Sequence, residues 1–446
     1  MANIMKKFKE LSILTLGKHG ANRRVWIASR NIFKSGLKVG SRVKIDYGDN
    51  KISIVPNDNG NNIVSGRGES NPIIDIKNQM VSKALNDPEK VEVRFFDNRI
   101  EITVSKKESE RKTRSSKTGR KMFELFCGGG TMHHFFKKTG FESVGGLEMQ
   151  DNYLAVFEQN NPHDDKITIC ASIEDVSPTD YPDNIDLLVC GIPCTTFSQG
   201  NLIMTKELRK LRSGESVDPN VVAKRFEAEA LVYHVLRAIE QMNPKQCVIE
   251  EVPSFAQSNA SMLLRTVLTQ MGYHLSEVVA EALHTKRKRW CLVADMNREV
   301  DLTNLPNHDG KVIADFLEGD LDSRDWKEVQ HHKRFKKASE TIGLRYHKPC
   351  EARVNTITTH HTRSTEPCLK HPFLDVYDEF SNQEIANLHG LKGFILPEGK
   401  TLARQVLGQG VTDLFDEISR RVFASSLTSD FGVKTGSRNQ LSLKFA

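Results

Sequence analysis

The chain has 446 residues, a net charge of +6 and 38% hydrophobic residues, which describes an ordinary globular protein and excludes a disordered or collagen-like one. No apolar run is long enough to span a bilayer, and the N-terminus lacks the apolar core and cleavage site of a signal peptide. Eight cysteines without a C-x-x-C pair exclude a disulfide framework and a zinc ribbon, so we expect a reduced, cytoplasmic protein with no membrane partner.

The first part of the chain, residues 1–104, is predicted to be a β-rich domain. Apolar and polar residues alternate in the stretches RRVWIAS, SRVKIDYGDNKISIVP and KVEVRFFDNRIEITVS. Gly48-Asp49-Asn50 and Asp97-Asn98 are turn signals inside the last two stretches, which are therefore predicted to be hairpins.

Basic residues are concentrated in three segments, 106–121, 206–214 and 331–337. The first belongs to a Ser-rich run over 105–121 that has no hydrophobic period, so it predicts an exposed basic linker between domains. A charge run is usually a solvated surface, but three in one chain modestly favour a nucleic-acid partner.

Residues 122–297 alternate between apolar strands and helices. Strands are predicted in MFELFCGGG, ESVGGLEM, IDLLVCG, KQCVIEEV and RKRWCLVAD, with a long helix in AKRFEAEALVYHVLRAIEQMNP. Repeated β-α units with near-continuous apolar strands predict an α/β fold with a doubly wound, mostly parallel sheet. Residues 298–352 are irregular and charged, and 353–446 hold helices in FSNQEIANLHGL and TDLFDEISRRVFASSL before a polar tail.

Three consecutive glycines, Gly128 to Gly130, separate the first strand of this region from its first helix. Glycines there let a ligand approach the backbone, although many such turns carry glycine for steric reasons alone. Glu148 ends the next strand about twenty residues on, where a carboxylate can bind two ribose hydroxyls. The G-x-G-x-x-G spacing of dinucleotide sites is not matched, which favours an adenosine ligand without a pyrophosphate, such as S-adenosylmethionine (SAM).

A cysteine follows another apolar strand in the stretch DLLVCGIPCTTFSQG. Cys190 lies within the apolar run and is predicted to be structural. Cys194 comes after Gly191-Ile192-Pro193, at the strand end where a thiol can meet a substrate. Taken alone, Cys194 is equally compatible with an incidental thiol.

The stretches FELFCGGG, GLEM, GIPCTTFSQ, VIEEV, HTKRKRW and LGQGV occur in the order of the DNA cytosine-5 methyltransferase motifs. The sequence resembles this SAM-dependent family over residues 122–425, as a divergent prokaryotic, plasmid or phage type. The resemblance implies a Rossmann-like SAM-binding catalytic domain at 122–297 and a small target recognition region at 298–352. Residues 353–446 would return to the catalytic domain.

The resemblance also implies the chemistry. Cys194 would add to carbon 6 of cytosine, so that carbon 5 can attack the methyl donor. Glu250 would protonate or hydrogen-bond ring nitrogen 3, a task suited to a desolvated carboxyl, and Arg289 would hold the base carbonyl oxygen. Arg287 would orient the site or a nearby phosphate, and the target base would be flipped out of the duplex. The expected nucleic-acid contacts are Ser198, Lys333 and Arg334.

Cofactor contacts follow from the same motifs, and no metal is expected. Thr195 replaces a Gln of the family pattern, Glu251 an Asn, Ser172 an Asp and His284-Thr285 a Pro-Gln pair, which marks a divergent branch. The paired histidines at 133/134, 331/332 and 360/361 lack zinc-site spacing, which favours surface or phosphate contacts. The residues expected to bind SAM are Phe126, Gly128, Gly130, Glu148, Met149, Ile173 and Val411.

The N-terminal stretch RRVWIASRNIFKSGLKVGSRVKIDYGDNKISIVP resembles the AbrB-like swapped-hairpin module. This resemblance implies a homodimer or additional DNA affinity, with Arg23 and Arg24 near the DNA. The alternative is a small β domain that only caps the catalytic domain.

The predicted function is methylation of carbon 5 of cytosine in double-stranded DNA, in a cytoplasmic, nucleoid-associated enzyme with a cognate restriction endonuclease as a further expected partner. An RNA cytosine-5 methyltransferase of the same lineage is the first alternative, since the basic linker fits either polymer. A SAM-binding DNA regulator without catalysis is the second. It predicts loss of Cys194, Glu250 or Arg289, and all three are present.

Overall fold

The computed structural model of the chain describes residues 8–162, 165–193, 197, 202–328, 346–359 and 368–427. The chain divides into two compact units, Met1–Thr113 and Arg114–Ala446. Among the described segments, no helix is both long enough and apolar enough to cross a membrane.

The first unit is built from antiparallel strands around its own hydrophobic core. It also holds a 3-10 helix at Arg30–Ser35 and helix α1 at Gln79–Leu85. The strands are β1 (Glu10–Thr15), β2 (Gly17–His19), β3 (Asn22–Ala28), β4 (Arg42–Gly48), β5 (Lys51–Pro56), β6 (Asn62–Ile63), β7 (Ser65–Gly66), β8 (Pro72–Ile76), β9 (Lys90–Phe96) and β10 (Arg99–Val104).

Both hairpins expected in this unit are confirmed, as β4–β5 and β9–β10. Asn50 turns the first of them with a φ of 54°, a left-handed conformation that asparagine tolerates. The strand order is β1-β9-β10-β5-β4-β6 in one sheet and β2-β3-β8-β7 in the other. Alternate residues on β5 and β9 fill the core, which is why these strands show a period of two: Ile52, Ile54, Val91, Val93 and Phe95.

The segment 105–121 differs from the exposed linker that its composition predicts. Lys106–Ser116 form helix α2, and the division between the two units falls within this helix, after Thr113. The absence of a hydrophobic period misled the prediction because the residue that α2 buries is an arginine, Arg114.

The second unit contains a seven-stranded sheet in the order β13-β12-β11-β14-β15-β17-β16. Strands from β13 to β15 pair in parallel, whereas β15–β17 and β17–β16 pair antiparallel, which confirms a doubly wound, mostly parallel sheet. These strands are β11 (Lys121–Leu125), β12 (Glu142–Glu148), β13 (Ile167–Cys170), β14 (Leu187–Gly191), β15 (Gln246–Glu251), β16 (His274–Glu281) and β17 (Lys288–Asp295).

Helices cover both faces of this sheet. On β15, Val248 belongs to one core, and its neighbours Cys247 and Ile249 to the other, because successive side chains point to opposite faces. The first core includes α3 and the helix Leu414–Leu427, and the second includes α6 and α7. The helices are α3 (Thr131–Thr139), α4 (Asp151–Asn160), α5 (Leu202–Arg212), α6 (Pro219–Met242) and α7 (Asn259–Met271), followed by Asn382–Leu388, Lys400–Gln409 and Leu414–Leu427.

Two cations at the start of the second unit, Arg114 and Lys117, cap helices of that unit. The buried guanidinium of Arg114 donates to Asn243 Oδ1 and to the carbonyl of Met271, both at 2.7 Å. Lys117 Nζ donates to the carbonyl of Asn243 at 2.8 Å. These groups lie at the carboxyl ends of α6 and α7, where cations satisfy unpaired carbonyls and the helix dipole. This part of the basic run is therefore structural.

The described part of the predicted target recognition region is irregular, as expected. Residues 298–328 contain only the 3-10 turns Ile313–Phe316 and Leu321–Ser323. A small sheet follows in the order β18-β19-β20. Its strands are β18 (Tyr346–His347), β19 (Cys368–Lys370) and β20 (Tyr377–Glu379).

Candidate active site

The predicted cofactor loop and the predicted catalytic carboxylate lie at one edge of the seven-stranded sheet. Phe126 follows β11 and Glu148 ends β12, while Gly191 ends β14 and pairs with Glu250 near the end of β15. Because these strands are parallel, their carboxyl ends meet at one edge, where ligands of such sheets bind.

The loop after β11 takes a backbone conformation that favours glycine. Phe126, Gly128 and Gly130 have φ angles of 54°, 50° and 85°, all in the left-handed region. Glu148 fixes the loop from the neighbouring strand, since its carboxylate accepts hydrogen bonds from the backbone N–H of Gly128 and of Gln150, each at 3.0 Å.

The loop is packed on one side and open on the other. A Cβ built on Gly129 would lie 2.6 Å from Val406 Cγ1, whereas one on Gly128 would meet nothing within 4 Å. An accessible glycine backbone beside a positioned carboxylate suits an adenosine ligand, whose ribose hydroxyls need an acceptor. The residues present therefore fit SAM.

The remaining predicted cofactor residues lie in different environments. Met149 follows Glu148 and is 65% exposed, whereas Ile173 is buried in the core beneath α6 and α7. Val411 N–H donates to Thr131 Oγ1 at 3.1 Å, which brings the C-terminal motif to the start of α3, beside the glycine loop. Contact of Met149, Ile173 and Val411 with SAM stays a prediction.

Glu250 and Arg289 form an ion pair through Oε1 of the carboxylate and Nε of the guanidinium. Their side chains are 11% and 10% exposed, so the pair is largely withdrawn from water. The other oxygen, Oε2, lies on the side of Gly191, where an added Cβ would be 3.5 Å away. Gly191 is three residues before Cys194 in the sequence, so this oxygen faces the chain that leads to the predicted nucleophile.

Glu251 points to the opposite face of β15 and is fully buried. One carboxyl oxygen accepts the Val252 N–H, while Oε1 has no hydrogen-bond partner among the described residues. Burial, with a smaller contribution from the charge of Glu250, raises the pKa of Glu251 to about 9. The second carboxyl that the sequence places beside Glu250 is therefore neutral at physiological pH.

Arg287, the first arginine of the R-x-R pair, is held by backbone carbonyls. Its guanidinium donates to Gly408 at 3.0 Å and to Ile357 and Gln409 at 3.2 Å. These bonds fix the turn of the LGQGV motif. Arg287 would therefore orient the site indirectly, by holding the LGQGV motif, and this role stays a prediction.

His284 departs from the family pattern and lies close to two carboxylates. Its Nε2 is 3.4 Å from Asp309 Oδ2 and 3.7 Å from Asp413 Oδ2. Burial lowers the pKa of His284 and raises the pKa of Asp413 to about 7. His284 thus connects the start of the HTKRKRW stretch to Asp413, which follows the LGQGV motif.

One histidine pair corrects the expectation of surface contacts. His133 is fully buried, with Nδ1 3.2 Å from Glu124 Oε2 and its ring packed edge-on against Phe157. Burial lowers its pKa to about 3, so it is a neutral core residue.

Four predicted site residues lie outside the described residues: Cys194, Ser198, Lys333 and Arg334. The histidine pairs 331/332 and 360/361 also lie outside them. Within the described ranges, no group of three or more His, Cys, Asp or Glu side chains is arranged to hold a metal ion.

Residues 120–412 match the model of the family described as C-5 cytosine-specific DNA methylase. The chain belongs to this family. The match begins close to the predicted start of the catalytic domain and includes the glycine loop, Glu250, Arg289 and the LGQGV motif. The first unit of the chain lies outside the match.

The curated relatives that the chain resembles are Type II methyltransferases. M.Eco47II of Escherichia coli is 25% identical over 236 residues, 50% of this chain and 52% of that protein. M.PspPI of Psychrobacter sp. is 29% identical over 161 residues, 35% and 33% of the two chains. The chain thus matches about half or less of the length of these relatives.

A solved structure shows that the fold is shared. The methyltransferase EhMeth of Entamoeba histolytica aligns with a TM-score of 0.52 at 14% identity, covering 70% of this chain and 98% of that one.

The sequence did not single out Arg225 on α6 or Ser254 after β15. Both contact Phe197, which is buried at 4% exposure and lies three residues after Cys194. Arg225 is distant from every recognised motif, so no signal in the sequence connects it to the site.

Proposed function

We propose that this chain transfers a methyl group from SAM to carbon 5 of cytosine in duplex DNA, through a covalent adduct with Cys194. The Glu250–Arg289 pair carries this proposal, because it lies at the same sheet edge as the open glycine loop and Glu148. An acid and a cation held together out of water suit recognition of a cytosine ring by its nitrogen 3 and carbonyl oxygen.

Each residue has a defined task in this reaction. The Cys194 thiolate forms a bond to carbon 6, and the electron pair of the C5–C6 double bond moves to make carbon 5 nucleophilic. Glu250 Oε2 donates a proton or hydrogen bond to ring nitrogen 3, while Arg289 keeps Oε1 in place and holds the base carbonyl oxygen. Carbon 5 then takes the methyl group, its proton passes to solvent, and elimination of the thiolate restores the C5–C6 double bond and frees Cys194.

The cofactor loop has a separate task. Bound SAM supplies an electrophilic methyl group on a sulfonium centre. Glu148 would hold the ribose hydroxyls, and the backbone of Gly128 and Gly130 would let the ligand lie close to the sheet edge. Phe126 and Met149 would complete the adenosine site.

Duplex DNA is the proposed substrate, and its target base has to leave the stack to reach a site at a sheet edge. The names of the Type II methyltransferase relatives support a DNA substrate and, as a further proposal, a cognate endonuclease. We also propose that Ser198, Lys333 and Arg334 contact the nucleic acid, and that the first unit adds DNA affinity or makes a homodimer.

The experiment that tests the substrate uses SAM labelled on its methyl group. The purified chain is incubated with duplex DNA and, in parallel, with RNA, and the modified base is located by bisulfite sequencing. We expect label in DNA at carbon 5 of cytosine within a fixed sequence context. Label in RNA alone would contradict the proposal, and label in neither polymer would favour the regulator.

The experiment that tests the nucleophile uses a duplex with 5-fluorocytosine at the methylated position. Fluorine at carbon 5 cannot leave as a proton does, so the covalent adduct accumulates and is seen on a denaturing gel. Cys194→Ser should abolish the adduct, whereas Cys190→Ser, a change at the buried strand cysteine, should retain it. An adduct that survives Cys194→Ser would refute the assignment.

A further inference from the structure

A column of aromatic rings runs from Phe197 to the strand that carries Arg289. The Phe197 ring meets Phe255 edge-on, with ring centroids 4.9 Å apart, and Phe255 packs against Trp290 at 5.4 Å. All three rings are buried, at 4%, 0% and 1% exposure. Trp290 follows Arg289 directly on β17 and pairs with Glu251 of β15.

A cation covers each end of this column. The Arg225 guanidinium lies 3.6 Å from the centroid of the Phe197 ring, and the Arg265 guanidinium lies 5.4 Å from the centroid of the Trp290 ring. A residue of the same helix holds Arg225 in place: the Nε of Arg225 donates a hydrogen bond to Glu229 Oε1 of α6 at 2.9 Å. A guanidinium over an aromatic face is attracted to the ring electrons, most strongly where water is excluded.

The backbone of Phe197 is fixed as well as its ring. Ser254 Oγ, in the turn after β15, donates a hydrogen bond to the Phe197 carbonyl. On the other side of Cys194, the Ile192 N–H donates to the Glu250 carbonyl at 3.3 Å. The stretch that holds Cys194 is therefore attached at both ends to the elements that carry Glu250 and Arg289.

We propose that Arg225 is a positioning residue that, with Ser254, holds Phe197, and that the rate at which Cys194 reacts depends on this support. Cys194 is three residues from Phe197 in the sequence, a covalent reach of about 10 Å at most, so we expect a displacement at Phe197 to alter the reaction of the thiol. Arg225 does not touch the substrate and acts through Phe197. The inference rests on the proposed function of Cys194 as the nucleophile.

The test compares matched substitutions on α6. Arg225→Met keeps the length of the side chain and removes its charge, while Arg225→Lys keeps a cation that can lie over the ring. Arg237→Met is the control, because Arg237 is on the same helix and lies over Tyr233 at 5.6 Å, but Tyr233 is 58% exposed and outside the column. The rate of adduct formation on the 5-fluorocytosine duplex and the Kd for SAM are measured for each protein.

We expect Arg225→Met to slow adduct formation by about tenfold to a hundredfold, the usual effect of a small misplacement of a reacting group. Arg225→Lys should recover part of the rate, Arg237→Met should match the wild type, and the Kd for SAM should be unchanged in all three. Ser254→Ala, which removes one hydrogen bond, should slow the reaction by about threefold to tenfold and serves if Arg225→Met does not fold.

Two results would overturn the positioning role. One is adduct formation at the wild-type rate in Arg225→Met, and the other is a loss of SAM affinity in proportion to the loss of rate, which would indicate general damage. A wild-type chain that forms no adduct would refute the proposed function itself, and is thereby distinguished from failure of the inference.

Discussion

Glu250 and Glu251 are consecutive residues on β15 with the same side chain and different surroundings. Glu250 faces the α3 side of the sheet, where it pairs with Arg289 and keeps an oxygen directed towards Gly191. Glu251 faces the α6 side among Phe255 and its neighbours, fully buried and with one oxygen unpaired among the described residues. Strand geometry alone separates them, because side chains alternate between faces.

This difference shows that a second carboxyl next to the proposed catalytic one in the sequence can lie in a separate environment. If both were ionised, they would compete for Arg289 and repel one another. Burial raises the pKa of Glu251 to about 9, so at neutral pH Glu251 carries no charge that could compete with Glu250 for the arginine. The Glu-Glu sequence therefore places one carboxyl group in contact with Arg289 and one neutral carboxyl group in the core.

The largest effect should separate the two residues by activity. Glu250→Gln removes the acid that serves ring nitrogen 3, so the rate of methyl transfer should fall by about a hundredfold to ten-thousandfold. Glu251→Gln resembles the neutral acid already present, and its rate should stay within about threefold of the wild type. The rates of both variants are measured by single-turnover transfer of labelled methyl to duplex DNA. An equal loss of rate in the two variants would contradict the different roles of Glu250 and Glu251.

A smaller effect should appear in the pH dependence of stability. The pKa of Glu251 rises from 4.5 to about 9 on folding, so between these values the folded protein holds a proton that the unfolded chain has released. The contribution of Glu251 to stability is thus fully present below the lower value and is lost as the pH rises to the upper one. Glu251→Gln removes this dependence.

Urea denaturation followed by circular dichroism provides the measurement. The free energy of unfolding of the wild type should fall between about pH 6 and pH 8 relative to that of Glu251→Gln. The difference between the two proteins should grow by up to about 1.4 kcal/mol per pH unit. Glu250→Gln supplies the control on the other face. Parallel curves for Glu251→Gln and the wild type would show that Glu251 is ionised in the folded protein.

The smallest structural effect should come from Gly191→Ala, which sharpens the comparison on the Glu250 side. The new Cβ would lie 3.5 Å from Glu250 Oε2 and 3.7 Å from Met132 Cε, which are ordinary contacts. Stability should therefore change by less than about 1 kcal/mol. If the space beside Oε2 receives the base, KM for DNA should nevertheless rise, and unchanged kinetics would show that the space is not used.

Local patterns predicted much of this fold. The two hairpins and the parallel strands β11, β12, β14 and β15 follow from period-two or continuous apolar runs bounded by turn residues, and those signals are contained within each element. The short parallel strand β13 was not predicted. Glu250 and Arg289 were found through motifs of a known family, and their contact depends on the pairing of β15 with β17.

Other features depend on contacts that no local pattern encodes. Helix α2 lacks an apolar face, and its buried Arg114 finds partners at Asn243 and Met271, more than a hundred residues away. His133 was assigned to surface or phosphate contacts because the histidine pairs lack zinc-site spacing, whereas the core holds it as a neutral ring beside Glu124. The sequence patterns did not predict β16, because its residues alternate only between exposed and half-buried positions and none is fully buried.

The capping cations Arg114 and Lys117 limit where a stable fragment of the second unit can begin. The family match begins at residue 120, so a fragment cut there would retain every recognised motif. It would nevertheless lose the two side chains that neutralise the carboxyl ends of α6 and α7, each worth about 0.3–1 kcal/mol or more when buried. A fragment or an exchange of the N-terminal unit therefore has to keep Arg114 and Lys117 with residues 120–412, so the folding unit is longer than the stretch that matches the family.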